Sequence, residues 1–292
     1  MRLYYIHIMS KSLIVNESNL VAGSNGSQYK FKFNSSQAFN NNKIGLSKLS
    51  MYYSWYNIDS QLYNNHQFTY IWFNSSGSVA SQQLVTIPDG YYTVDSLNLF
   101  LQSEMKKRGH YMKPLSGQNL PEIYYISIQT NPTYYACQLQ IDPMPITIPT
   151  GYEKGGTWGL PPTVRTPQLV LSSSNLFRDL LGFNAGSYPP TILNTSYVKL
   201  SDKTPRMAPT NSLMIRIAQC SNGGLTNPND IVYIFTQGIS SYGDLIEEAP
   251  SNVDYIPISN GSYNELSISF VNQDGLPVKI KDTQLIMLFK II

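Results

Sequence analysis

Leu266–Ile292 reads LSISFVNQDGLPVKIKDTQLIMLFKII. Leu266, Ile268 and Phe270 alternate with Ser267 and Ser269, the two-residue period of a half-buried strand. Asp274-Gly275 is a turn pair, LPVKI continues extended, and a last strand runs over Thr283–Ile291. That strand sets Leu285, Met287, Phe289 and Ile291 on one face and Ile286, Leu288 and Ile292 on the other. A sandwich core meets one apolar face. Two apolar faces predict a central strand covered on its second side as well, by an inserted segment or a neighbouring subunit. A membrane is the weakest cover, because the run contains Lys290 and is far shorter than the roughly 20 apolar residues of a spanning helix.

Working back from this stretch, more strands precede it: Ser212–Cys220, Asp230–Gln237, Asp254–Ser259 and Glu265–Val271. The first third also reads as strands. In SQYKFKFN, Tyr29, Phe31 and Phe33 alternate with Lys30 and Lys32. Ile44–Ile58 places Met51, Tyr53 and Trp55 on one face, and Gln67–Phe73 and Gln82–Ile87 follow, with Asn, Ser and Gly filling the turns. Between these two β regions the period changes. Val94–Arg108 reads as a helix, with Thr93 as its cap, Asp95 in its first turn and Val94, Leu97, Leu101 and Met105 on one stripe. Lys106, Lys107 and Arg108 complement its negative end, and Gly109 ends it. Ile123–Gln129 and Tyr134–Ile141 form a hairpin across TNPT, and Asp142–Arg165, rich in Pro and Gly, reads as an ordered loop. Pro167–Ser172 is a strand, and Asn175–Leu181 a short helix capped by Ser174 and ended by Gly182. Strands, a mixed segment, then strands again predict one β-sandwich carrying an insertion.

Composition excludes several functions. Charged residues make up 13% of the 292 residues and the net charge is +2, against roughly 25% charged in an average chain. No strong field draws the protein to nucleic acid or anionic lipid. Asn, Ser, Gln, Thr and Tyr must supply the polar surface, which hydrogen-bonds well and repels neighbours weakly. Cys137 and Cys220 read as reduced structural thiols rather than a disulfide framework. The opening MRLYYIHIMSKSL is interrupted at His7 and has no small-residue cleavage site, so no secretory signal is expected. The N-x-S/T triplets at Asn16, Asn25, Asn34, Asn74, Asn194 and Asn260 are expected by chance in such a chain and would be acceptors only after export.

No catalytic motif is present: no G-x-S-x-G, no H-E-x-x-H and no phosphate loop ending in Gly-Lys-Ser. His7, His66 and His110 lie in unrelated contexts without metal-ligand spacing. Glu247 and Glu248, with Asp244 near, read as a solvated acidic loop rather than an acid–base pair. GGTWG (Gly155–Gly159) is neither preceded by a strand nor followed by a helix, as a phosphate cradle would need. The basic triplet Lys106–Arg108 reads as the dipole complement of its helix. The 22 tyrosines suit strand packing or a protein interface better than sugar. The sequence therefore predicts no catalytic, cofactor-binding or metal-ligating residue, and no cofactor.

The series IPDGYYTVDSLNLFLQ, a tyrosine-rich hairpin, LFRDLLGF and a terminal ISFVNQDGLPVKIKDTQLIMLF resembles the penton (minor capsid) proteins of virophages and Polinton/Maverick-type elements, those of the mavirus type most of all. The resemblance covers Ile87 to Phe183 and Glu265 to Ile292. It implies an all-β fold, a single jelly roll of two four-stranded antiparallel sheets with an inserted α+β domain. The roll would take residues 1–87 and 202–292 and the insertion 88–201. It also implies a non-enzymatic virion protein, made and assembled in the host cytoplasm, whose homopentamers close the fivefold vertices and contact the major capsid protein. The insertion is then the part placed for host-surface contact. Adenovirus-like pentons carry an Arg-Gly-Asp attachment triplet; here Arg108-Gly109 is followed by His110, so attachment by that route is not supported. Two other classes compete. A carbohydrate-binding β-sandwich, lectin or adhesin, would stack Tyr and Trp on sugar but has no acidic calcium loop here. A sandwich hydrolase would need a carboxylate pair or triad that the sequence does not bring together.

Overall fold

The computed structural model describes residues 10–74 and 80–292. His7 and most of the Met1–Ser12 segment lie outside the described residues. The chain separates into two compact units, one made of the residues up to Trp55 together with Thr210–Ile292, the other of Tyr56–Pro209. The first opens with β1 (Lys11–Val15), β2 (Gln28–Phe39) and β3 (Lys43–Tyr52). The second contains β4 (Gln67–Phe73), β5 (Ala80–Thr86), α1 (Val94–Lys107), β6 (Met112–Pro114), β7 (Ile126–Asn131) and β8 (Ala136–Ile141). It continues with β9 (Tyr152–Lys154), β10 (Gln168–Leu171), α2 (Phe177–Leu181), β11 (Gly186–Tyr188) and β12 (Tyr197–Leu200). The chain returns to the first unit with β13 (Ser212–Ile217), β14 (Ile231–Thr236), β15 (Leu245–Glu248), β16 (Ile256–Pro257), β17 (Gly261–Asn272) and β18 (Ile286–Ile291). The protein is mostly β, in antiparallel sheets, as expected.

In the first unit one sheet runs β1-β18-β3-β15, with β16 also on β3, and the other β14-β13-β17-β2. On β17, Leu266, Ile268 and Phe270 are buried while Ser267 and Ser269 lie on the opposite side. On β18, Met287, Phe289 and Ile291 point into the core. Leu288 pairs with Lys48 and Phe289 with Leu46, so β3 has one extra residue at Ser47. That bulge lets Leu46 and Leu49, three residues apart, both be buried. β3 ends at Tyr52, short of the expected Ile58, although Met51, Tyr53 and Trp55 are all buried as the alternation required.

The unit boundaries differ from those expected. Gln67–Phe73 and the Gln82–Ile87 strand do not join β1–β3. They pair with each other as β4 and β5, and β4 pairs on its other edge with β10, in the order β11-β10-β4-β5. Phe68, Tyr70, Trp72 and Phe73 are all buried in the second unit's core, where Phe68 stacks on Phe177 of α2 at 4.9 Å. Phe68, Tyr70 and Trp72 face that core, while Gln67, Thr69 and Ile71 on the other face are half-buried.

The second unit's other sheets are β12-β8-β7 and β6-β9. The β7–β8 hairpin forms as expected, and the expected loop contains β9. Helix α1 packs on β7, burying Val94, Leu97, Leu101 and Met105. Thr93 and Ser96 cap it reciprocally. At its end the N–H groups of Gly109 and His110 donate to the carbonyls of Lys106 (2.9 Å) and Met105 (2.8 Å), a Schellman closure that needs the positive φ of Gly109, 71°. The short helix is differently made: Ser174 does not cap it, and the Asn175 side chain accepts the Phe177 N–H at 3.1 Å instead. Asp254–Ser259 reduces to the two-residue β16, because Pro257 removes a ladder donor.

Candidate functional site

The outward face of the β1-β18-β3-β15 sheet departs most from what a solvated sheet requires. Its inward residues Leu13, Val15, Leu49, Met51, Met287 and Phe289 form core. Outward, Ile14 pairs with Leu288, Ile286 lies opposite Ser50, and Leu245 lies opposite Tyr52. Ile14 is 55% exposed, Ile286 49%, Leu245 47% and Tyr52 39%, while Leu288 is half-buried. Met287, Phe289 and Ile291 form the core face that alternation required, while Ile286 on the other face is exposed in the single chain. A solvent-facing antiparallel sheet normally alternates to polar residues there; here Ile14, Leu288 and Ile286 form one exposed apolar cluster and Tyr52 with Leu245 a second, with Lys48, Ser50 and Glu247 between them, and exposed apolar clusters of this kind suit an interaction surface. Its charges are sparse: Lys48 pairs with Glu247 at 3.3 Å, and Lys290 donates to the Ser12 hydroxyl at 2.8 Å. Leu225 (86% exposed) and the fully exposed Ile239 lie on the loops flanking β14 in the same unit.

Glu247 and Glu248 lie on β15, an edge strand rather than the expected loop. They project to opposite faces, Glu247 to Lys48 and Glu248 to the Tyr233 hydroxyl (3.0 Å). Among the described residues no group of three or more His, Cys, Asp and Glu could hold a metal ion. Cys137 and Cys220 are buried free thiols in different units, and burial pushes both up to about 12. The basic triplet is answered by carboxylates, Lys107 and Arg108 by Glu104 (2.7 and 3.3 Å) and Lys106 by Glu122. Hydrogen bonds from Lys106 and Tyr124 hold Glu122 below its usual range. Gly155 and Gly156 serve packing: a Cβ on Gly155 would lie 2.1 Å from the Tyr111 ring. Seven tyrosines, Tyr29, Tyr53, Tyr63, Tyr70, Tyr111, Tyr125 and Tyr188, are core, and Tyr52, Tyr134, Tyr135 and Tyr242 are exposed.

His110 is the one titratable group that sequence reasoning undervalued. Its ring stacks on Trp72 (4.9 Å, 16°), and its Nδ1 is 2.8 Å from the Tyr70 hydroxyl. Arg108 lies over the Tyr70 ring at 5.8 Å and pairs with Glu104. Burial, with the Arg108 charge adding to it, lowers His110 from 6.5 to about 4, so the ring is neutral near pH 7 and shares one hydrogen bond between Nδ1 and the Tyr70 hydroxyl, its direction set by the ring's tautomer. This is a packing role within the second unit's core.

No helix among the described residues is long and apolar enough to cross a membrane. No family model and no curated protein matches the chain. Among solved structures it is similar to the mavirus penton protein, at 12% identity over 97% of both chains with a TM-score of 0.47. It is also similar to a chain of the Sputnik virophage structure, at 11% identity over 97% of this chain and 96% of that one, with a TM-score of 0.38. At such identities and scores neither similarity decides the fold or the function.

Proposed function

We propose that the protein is a structural subunit of an icosahedral virus capsid, a penton whose homopentamer closes a fivefold vertex against the major capsid protein. The first unit is read as a single jelly roll and the second as its insertion, entering between β3 and β13. The observation that carries this is strand order. Lettered B to I along the chain, β1, β2, β3, β13, β14, β15, β17 and β18 give sheets B-I-D-G and C-H-E-F. That is the order of a jelly roll, an architecture used by capsid proteins and by lectins. A fold alone does not choose between them. The apolar outward face of β1-β18-β3-β15 favours assembly, because a sugar offers hydroxyls and needs polar partners, whereas a neighbouring subunit offers apolar surface. The low charge suits five copies converging on one axis. A ring uses two different flanks of each subunit, and closure stops its growth.

The test is co-expression with the major capsid protein of the same genome, followed by localisation of this chain in the particles. Density for this chain at the fivefold vertices supports the reading. Particles whose vertices are closed without it, together with saturable binding to a glycan array, favour the lectin instead.

A further inference from the structure

Three asparagines are followed by glycine: Asn25-Gly26, Asn222-Gly223 and Asn260-Gly261. In such a pair the glycine nitrogen can attack the asparagine Cγ, and with no Cβ on the glycine nothing crowds the approach. By sequence the three pairs are alike. The fold separates them.

Asn260 and Asn25 are held. The Asn260 side-chain oxygen accepts the Asn41 N–H at 2.9 Å, and Gly261 starts β17, paired with Phe39. The Asn25 carbonyl accepts the Ile280 N–H at 2.9 Å. Gly26 is buried, and a Cβ on it would lie 2.0 Å from the Ile280 carbonyl oxygen. Swinging the Gly26 nitrogen towards the Asn25 side chain would pull the turn from under Ile280. Asn222 differs at each point. It lies on the loop between β13 and β14, and its carbonyl accepts the Leu225 N–H at 3.2 Å. Gly223 and Gly224 have φ of 63° and 82°, the positive pair of a type I′ turn. Open space surrounds the Cβ position of each. Among the described residues neither the Asn222 side chain nor the Gly223 N–H has a hydrogen-bond partner. Both reacting groups are therefore free, and Gly223 is exposed.

We propose that Asn222 is a site of spontaneous deamidation, with water as the co-reactant. The Gly223 nitrogen bonds to the Asn222 Cγ, the Cγ–Nδ2 bond breaks, and ammonia leaves with the Gly223 amide proton. Water then opens the succinimide at either carbonyl, leaving aspartate or isoaspartate at position 222. Nothing is oxidised or reduced. The product sets a carboxylate in the same turn as Leu225, which is 86% exposed. Isoaspartate also lengthens the backbone of that turn. The proposal stands apart from the capsid reading, since it needs only the loop.

The test incubates the native full chain at mildly alkaline and mildly acid pH and follows the three pairs by peptide mapping with mass spectrometry. Asn222 is expected to deamidate at least about tenfold faster than Asn25 or Asn260, a barrier difference of about 1.4 kcal/mol. The rate should fall at acid pH, because the attacking nitrogen must lose its proton. In chain unfolded by guanidinium chloride the three rates are expected to converge to within about threefold. Asn222→Gln, whose longer side chain closes the larger ring far more slowly, is expected to remove the modified peptide and leave the melting temperature unchanged. Native Asn222 reacting no faster than Asn260 overturns the proposal. So does the same ratio in the unfolded chain, which would assign it to neighbouring residues rather than to the loop. Product at Asn222 that isoaspartyl methyltransferase does not label overturns the ring-closing route in favour of direct hydrolysis.

Discussion

Replacing Ile14 by aspartate should abolish assembly while leaving the subunit folded. Ile14 is 55% exposed and pairs with Leu288 on the outward face of the β1-β18-β3-β15 sheet. Packing a neighbour there would remove about half of the side chain from water. At roughly 1.5–3 kcal/mol for a whole side chain, that is about 1 kcal/mol per contact. Aspartate forfeits this and leaves a carboxylate buried in the contact with no partner facing it, which costs about 2–5 kcal/mol more. The sum is roughly 3–6 kcal/mol per contact, at least about two decades in association constant. In the free subunit the carboxylate stays in water, and only strand preference changes, by up to about 1 kcal/mol. Ile286→Asp, 49% exposed on the next strand, should behave alike. Sedimentation velocity over a range of concentrations reads assembly, and thermal melting followed by circular dichroism reads the fold. Variants that assemble like the parent would refute the reasoning. So would variants that lose assembly only in step with a large drop in melting temperature, since the residues would then be structural.

Three further outcomes follow from the second unit. Leu101→Ala empties a fully buried position on the α1 stripe and should cost about 2–5 kcal/mol in denaturant unfolding. Gly109→Ala should destabilise by clearly more than Gly117→Ala: both have positive φ, but a Cβ on Gly109 would lie 2.6 Å from the Gly156 Cα, while Gly117 faces open space. For pH the sign is that of a base whose folded value, about 4, lies below its free value of 6.5. The unfolded chain binds the proton first, so stability is unaffected above about pH 6.5 and falls as pH drops towards 4. His110→Gln should flatten that acid limb in melts taken between pH 7 and 4.5.

What the sequence displayed was local. Helix α1 was readable because its cap, stripe, basic end and terminating glycine all lie within one stretch, Thr93–Gly109. The inward side of β18 was readable from alternation. Pairing partners were not. β4 and β5 alternate as well as β2 does, and nothing within them says that β10, about a hundred residues on, is the partner. That is why the second unit begins at Tyr56 rather than at residue 88. Alternation also assigns a side chain to a face without saying what covers that face: Ile286 is 49% exposed in the single chain. Ser174 does not cap the short helix because its hydroxyl pairs with that of Ser172, and the helix begins only after Leu176. The His110–Trp72–Tyr70 cluster joins segments apart in the chain and leaves no motif.

The central claim is that the first unit is an assembly module. Its most direct measurement is the mass of the native chain by native mass spectrometry, alone and with the major capsid protein added. The account predicts a closed species of about 165 kDa, five times the 32.9 kDa subunit, at high concentration or once the shell protein is present. A chain that stays at 32.9 kDa in both conditions would contradict it.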